Sequence, residues 1–160
     1  MSNHKPLIIK GCRQCGKTYS VLDFAKKNYK NYVYLNFFEN PDYASVFKGS
    51  LEIDNIVMML SAFLGNKAVF EPYNTVIILD EIQECAEART ALKFFKLDGR
   101  YDVIATGSLL GVKGYGKEPK SIPVGYETVI DMYPLDFEEF LWANNIQDGM
   151  IDLLKKCQTF

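Results

Sequence analysis

The segment Gly11-Cys12-Arg13-Gln14-Cys15-Gly16-Lys17-Thr18 spaces two glycines, a lysine and a hydroxyl as G-x-x-x-x-G-K-[ST]. That spacing suits phosphate. The glycines let the chain turn so that successive backbone N–H groups converge on phosphate oxygens, and a following helix adds the positive end of its dipole. Lys17 supplies a point charge for the β- and γ-phosphates, and Thr18 offers a hydroxyl to Mg²⁺. With this composition roughly 0.006 chance matches are expected along the chain, so an accidental glycine-rich turn is a poor account. Tyr19, next in line, joins Gly11 to Thr18 as a candidate nucleotide contact.

A second feature is the run Thr75-Val76-Ile77-Ile78-Leu79 ending in Asp80-Glu81. An acidic pair at the C-terminal end of a buried strand lies where a parallel sheet forms its ligand crevice. Asp80 would hold Mg²⁺, through water or through Thr18, and Glu81 would polarise an attacking water as general base. Asp80 could instead cap the helix that follows, because Asp before Ile82-Gln83-Glu84 reads that way too. The phosphate loop favours the metal role. Thr106-Gly107-Ser108 follows the fourth apolar run and places two hydroxyls at the same sheet edge, where Thr106 or Ser108 would sense a γ-phosphate or steady the water. Alone, it reads as an ordinary strand-to-helix connection.

These groups need a scaffold that brings strand ends together. Leu7-Ile8-Ile9 predicts a buried strand cut off at Gly11, and Lys17 to Lys30 a helix with Val21, Leu22, Ala25 and Tyr29 on one face. Tyr32 to Phe37 predicts a second strand, ended by Glu39-Asn40-Pro41-Asp42. Ile53, Ile56, Val57, Leu60 and Phe63 space as a helix stopped at Gly65. Thr75 to Leu79 does not alternate, so it predicts a strand buried on both faces. Ala88, Ala91, Leu92 and Phe95 mark another helix, with strands at Asp102 to Ala105 and Val129 to Tyr133. Asp136 caps a further helix with Glu139 at its third position and Leu135 and Phe140 spaced as a staple. Gly111 to Gly125 predicts a mobile loop.

Strand alternating with helix implies a parallel sheet with helices on both faces. The fold class is therefore α/β, a three-layer sandwich around a mainly parallel five-stranded sheet. Residues 1–147 read as one domain. Residues 148–160 read as the start of a helical or linker segment, whose apolar Met150, Ile151 and Leu154 have nothing after them to cover them. The chain thus reads as the front part of a longer protein.

Composition narrows the partners. With 18 basic and 20 acidic residues among 160, the net charge of −2 gives no bulk grip on nucleic acid or anionic membrane. No run approaches the ~20 apolar residues of a membrane span. The polar opening predicts no signal peptide, and the four cysteines are too few for a disulfide scaffold. The expected location is the cytoplasm. Cys12-x-x-Cys15 is half a zinc site at best, with no second pair and the single histidine, His4, near the terminus.

Five blocks occur together in order: Gly-x-Arg-Gln-x-Gly-Lys-Thr (11–18), Leu-Asp-Glu-Ile-Gln (79–83), Ala-Thr-Gly-Ser-Leu-Leu-Gly (105–111), Ile-Pro-Val-Gly (122–125) and Tyr-Pro-Leu-Asp-Phe-Glu-Glu-Phe-Leu-Trp-Ala (133–143). The chain in this respect resembles the prokaryotic AAA-type P-loop ATPases, whose C-terminal half is a separate domain resembling restriction endonucleases. The last block is the most specific to that family. The resemblance implies a P-loop NTPase fold of the AAA type, with the strand of Thr106 and Ser108 between those of the phosphate loop and the carboxylates. It implies ATP and Mg²⁺ as ligands, Lys17 and Thr18 at the phosphates, Asp80 on the metal, Glu81 as base and Thr106 or Ser108 as sensor.

The chain departs from that family in three respects. The C-terminal domain lies outside it. Cys12 and Cys15 stand where small or branched residues are expected. Arginines for catalysis are scarce too: the three in the chain are Arg13, Arg89 and Arg100, and none follows. Arg89 and Arg100 read as surface salt-bridge partners. A neighbouring subunit or the further domain would have to supply an arginine, so slow hydrolysis is expected. A non-hydrolysing, ATP-gated interaction module is the alternative reading. A P-loop phosphotransferase is a weaker one, because the Gly111–Gly125 loop carries lysines but no arginine to clamp a transferring phosphoryl group.

Overall fold

The computed structural model describes residues 4–108 and 125–157 of the chain. Apart from Gly125, the expected mobile loop lies outside the described residues. Five strands, β1 (Leu7–Gly11), β2 (Asn31–Asn36), β3 (Thr75–Asp80), β4 (Asp102–Ser108) and β5 (Thr128–Met132), form one sheet in the order β2-β3-β4-β1-β5. Every pairing is parallel. The expected α/β sandwich is what the chain forms, and β4 lies between β1 and β3.

Side-chain alternation along the strands builds two cores. Ile77 and Leu79 of β3 pack with Val33, Leu35 and Ala105 on one face. There they meet Ile56 and Leu60 of α2 (Ile53–Leu64) and Ala88, Leu92 and Phe95 of α3 (Ala86–Asp98). Val76 and Ile78 point the other way, to Ile9, Ile104 and to Val21 and Ala25 of α1 (Lys17–Asn28). All six residues of β3 are buried, which explains why that run is apolar throughout instead of alternating.

Several boundaries differ from the sequence reading. α1 ends at Asn28 and not Lys30, because Tyr29 turns extended and donates its hydroxyl to Asp102 at 2.8 Å. The chain after β2 makes a 3₁₀ turn over Pro41–Phe47, in which Val46 and Phe47 enter the core. β4 runs on through Thr106-Gly107-Ser108, since Lys10↔Gly107 and Gly11↔Ser108 continue its pairing with β1. That segment is strand and not a connection.

α4 (Phe137–Ala143) carries the expected capping box, with Asp136 accepting from the Glu139 N–H and Glu139 accepting from the Asp136 N–H. α4 packs on α5 (Asp148–Cys157), joined by Trp142 Nε1 donating to Asp148 at 3.0 Å and a Lys155–Glu138 ion pair at 2.7 Å. Among the described residues neither main core draws on α4 or α5. Among them, no helix is long and apolar enough to cross a membrane.

Candidate functional site

The turn from β1 into α1 carries the candidate phosphate loop. Two of its glycines are required by the backbone. Gly16 has φ +92°, in the left-handed region that a side chain disfavours. At Gly11 a Cβ would stand 2.2 Å from the Met132 carbonyl oxygen of neighbouring β5. Gln14 takes φ +62°, so the loop also stores strain at a residue with a side chain.

Lys17 is buried, and its ammonium is drawn into the loop: it donates to the Cys12 carbonyl at 2.5 Å, to the Gly11 carbonyl at 3.2 Å and to Ser108 Oγ at 3.3 Å. Arg13, Gln14, Gly16, Lys17, Thr18, Tyr19, Phe38, Glu81 and Ser108 line a cavity of about 440 Å³. Six of these nine come from the loop and the start of α1. The two cysteines separate. Cys12 is exposed, whereas the Cys15 thiol donates to the Met132 carbonyl at 3.7 Å and lies 3.8 Å from Lys17 Nζ. Among the described residues no group of three or more His, Cys, Asp or Glu is placed to cage a metal.

Asp80 is buried at the end of β3 and is crowded with donors. Thr18 Oγ1 donates to its Oδ2 at 3.0 Å, Tyr34 Oη at 2.6 Å and Asn36 Nδ2 at 3.2 Å. Its Oδ1 accepts from the Thr106 hydroxyl and from the Glu81 N–H at 3.1 Å. Burial, first, and then the bond to Asp80 push the Tyr34 phenol well above its ordinary range, so it stays a donor. The helix-capping alternative for Asp80 does not fit, because the 3₁₀ turn Ile82–Glu84 that follows has Glu81 at its N-cap position and no side-chain cap.

Glu81 takes φ +53°, ψ +47°, an uncommon conformation for a residue with a side chain. Its carboxylate lies at the cavity, where it accepts from Ser108 Oγ at 3.4 Å and from Gln83 Nε2. The other end of the Gln83 amide, Oε1, is buried with no hydrogen-bond partner among the described residues.

The structure brings the loop residues, Asp80, Glu81 and Ser108 to one place, and it divides the two hydroxyls expected at the γ-phosphate. Ser108 faces the cavity. Thr106, two residues earlier on the same face of β4, is fully buried against Asp80, to which it donates, and does not line the cavity.

The arginines require one correction. Arg100 pairs with Asp98 and Asp54 as a partly exposed residue. Arg89 pairs with Glu127 at 2.6 Å with both side chains largely buried, which makes it an internal tie from α3 to the start of β5 rather than a surface pair. Sequence reasoning missed Tyr34 and Asn36, although an Asn ending one strand at the register of an acid ending another is a readable signal once the strands are known to pair. It missed Gln83 and Met132 as site neighbours too.

A family model described as an AAA domain matches residues 3–141. No curated protein matches the chain. Among solved structures, a chain in a structure of Drosophila ORC bound to DNA shares the fold, with a TM-score of 0.51 at 16% identity. The match covers 97% of this chain and 45% of that one, so the present chain spans less than half of the protein it matches.

Proposed function

The chain belongs to the AAA domain family, and from that premise we propose that it binds ATP with Mg²⁺ and hydrolyses it slowly. The observation that carries this reading is the convergence of the loop, Lys17, Thr18 and Glu81 around one cavity, with Asp80 bonded to the Thr18 hydroxyl. Gly11 to Thr18 wrap the phosphates with backbone N–H groups. Lys17 exchanges loop carbonyls for β- and γ-phosphate oxygens, and Tyr19 flanks the same mouth.

The donor set fits Mg²⁺. This small cation keeps several waters and takes few protein ligands alongside phosphate, so no protein cage is needed. When bound, Mg²⁺ neutralises charge building on the phosphates. Thr18 donates its proton to Asp80 and so turns its oxygen lone pairs toward the cavity, where Asp80 supports it from behind. Glu81 takes a proton from water, and Ser108 holds the Glu81 carboxylate and the Lys17 ammonium near each other. Thr106 acts through Asp80.

The expectation of slow turnover rests on the arginines. Arg89 and Arg100 are tied to carboxylates elsewhere, which leaves Arg13 as the arginine at the cavity. A further domain or a neighbouring subunit would supply another. Residues 1–147 then form the ATPase unit, residues 148–160 lead toward the next segment, and the protein works in the cytoplasm.

The test is ATP binding with and without Mg²⁺ for the native chain and Lys17→Ala. Loss of a charged hydrogen bond costs about 1.5–3 kcal/mol, or roughly 10- to 100-fold in affinity. The native chain should gain about 2.7 kcal/mol of stability at 100 times the dissociation constant. Equal thermal shifts for the two proteins refute the assignment.

A further inference from the structure

Asp80 is served by two side chains of β2, outside the phosphate loop, the acidic motif and the Thr106-Gly107-Ser108 segment. Tyr34 and Asn36 stand two apart on β2 and therefore project on one face. Parallel pairing sets Asn36 opposite Asp80. Both donate to the same oxygen, Oδ2, that takes the proton of Thr18. With Thr106 and the Glu81 N–H on Oδ1, five donors meet a carboxylate that offers about four lone-pair sites. The acid has no free lone pair to give a cation directly. Its effect on a metal must pass through the Thr18 hydroxyl or a water, and the position of Oδ2 decides where that hydroxyl points.

Asn36 has a second engagement. Its Oδ1 accepts from the Phe38 and Glu39 N–H groups, both at 2.9 Å, so one buried amide fixes the acid and also the turn that carries Phe38 to the cavity rim. Its Nδ2 also donates to Tyr34 Oη at 3.1 Å, which orients the phenol that serves Asp80.

We propose that Tyr34 and Asn36 are positioning residues that hold the Asp80 carboxylate in register with Thr18 and thereby set the Mg²⁺ requirement of nucleotide binding. The proposal rests on the Mg²⁺-ATP reading above. Groups that orient a metal-site residue from behind typically contribute about 10- to 100-fold in metal affinity or activity.

The experiment is ATP binding titrated against Mg²⁺ for the native chain, Tyr34→Phe, Asn36→Ala and Lys17→Ala. Tyr34→Phe removes one oxygen and keeps the ring. The Mg²⁺ concentration for half-maximal ATP binding should rise about 10-fold in Tyr34→Phe and in Asn36→Ala. ATP affinity at saturating Mg²⁺ should stay within about twofold in Tyr34→Phe, a split that a general loss of structure does not produce. An unmoved Mg²⁺ midpoint in Tyr34→Phe, beside a clear loss in Lys17→Ala, overturns this proposal alone. ATP affinity indifferent to Lys17→Ala overturns the underlying reading and this proposal with it. If Asn36→Ala does not fold, the Tyr34→Phe midpoint decides.

Discussion

Replacing Arg89 by Met leaves the Glu127 carboxylate facing a largely buried site without its cation. In the native chain the two groups meet at 2.6 Å with side-chain exposures of 14% and 8%, and Glu127 Oε2 is buried with no hydrogen-bond partner among the described residues. Removing one member of a buried pair costs about 3–5 kcal/mol. The partial exposure of Arg89 places this case near the lower end, at about 3 kcal/mol. At ~2–4 °C per kcal/mol for a chain of this size, the melting temperature should fall by roughly 6–12 °C.

The double variant Arg89→Met, Glu127→Leu removes both charges and should recover to within about 1 kcal/mol of the native chain, since well-packed apolar replacements of buried pairs are often neutral. The pH dependence follows from sign. Burial raises the Glu127 carboxyl above its ordinary value of 4.5, and Arg89 opposes that rise. A raised carboxyl means the folded state binds more protons than the unfolded one in the window above 4.5, so stability falls as pH rises through it. Without Arg89 the window extends further upward. The deficit of Arg89→Met should therefore be smallest near pH 4.5 and grow toward neutrality. Denaturant melts of the three proteins across pH measure it. A cost below about 1 kcal/mol, independent of pH, would mean that the pair behaves as a surface ion pair and the reasoning is wrong.

Glu81→Gln should retain ATP binding and lower turnover by about 10²–10⁴-fold, read by single-turnover hydrolysis; unchanged turnover would remove Glu81 as the base. Gly11→Ala forces a Cβ to within 2.2 Å of a backbone oxygen of β5, which cannot rotate away. Overpacking of this kind costs about 1–3 kcal/mol, so a lower melting temperature and weaker ATP binding are expected; a native-like melt would show that β5 is not seated against the loop. A short iodoacetamide pulse should label exposed Cys12 well before Cys85, with Cys15 intermediate, as peptide mapping would report. Labelling of Cys85 as fast as Cys12 would contradict the buried position of α3 beneath the sheet.

Local spacing was enough to find the glycine-rich turn from β1 into α1 and the acidic end of β3. Gly11, Gly16, Lys17 and Thr18 act through one continuous turn, and the turn's backbone requirements are written in adjacent residues. Asp80 and Glu81 were legible for a related reason, since an unbroken apolar run names a strand covered on both faces and its end names the crevice. The same logic yielded the α/β class from alternating periods. The ends of elements were less legible: Tyr29 leaves the helix to reach Asp102, a residue 73 positions away.

The place of β2 beside β3 was beyond the sequence alone, and the site depends on it. Hydrophobic pattern says that β2 is a strand, but not that it lies beside β3, so the bonds from Tyr34 and Asn36 to Asp80, across 46 and 44 residues, had no local sign. The two hydroxyls of β4 share one face, and only the pairing of β4 with β1 and β3 decides that Ser108 reaches the cavity while Thr106 meets the acid. Arg89 reads in sequence as a surface charge, and only the approach of the residue before β5, Glu127, to α3 gives it a largely buried partner. The physical reason is common to all three. Backbone turns and burial periods are short-range properties of the chain, whereas strand pairing joins segments whose register is decided by the closure of the whole sheet.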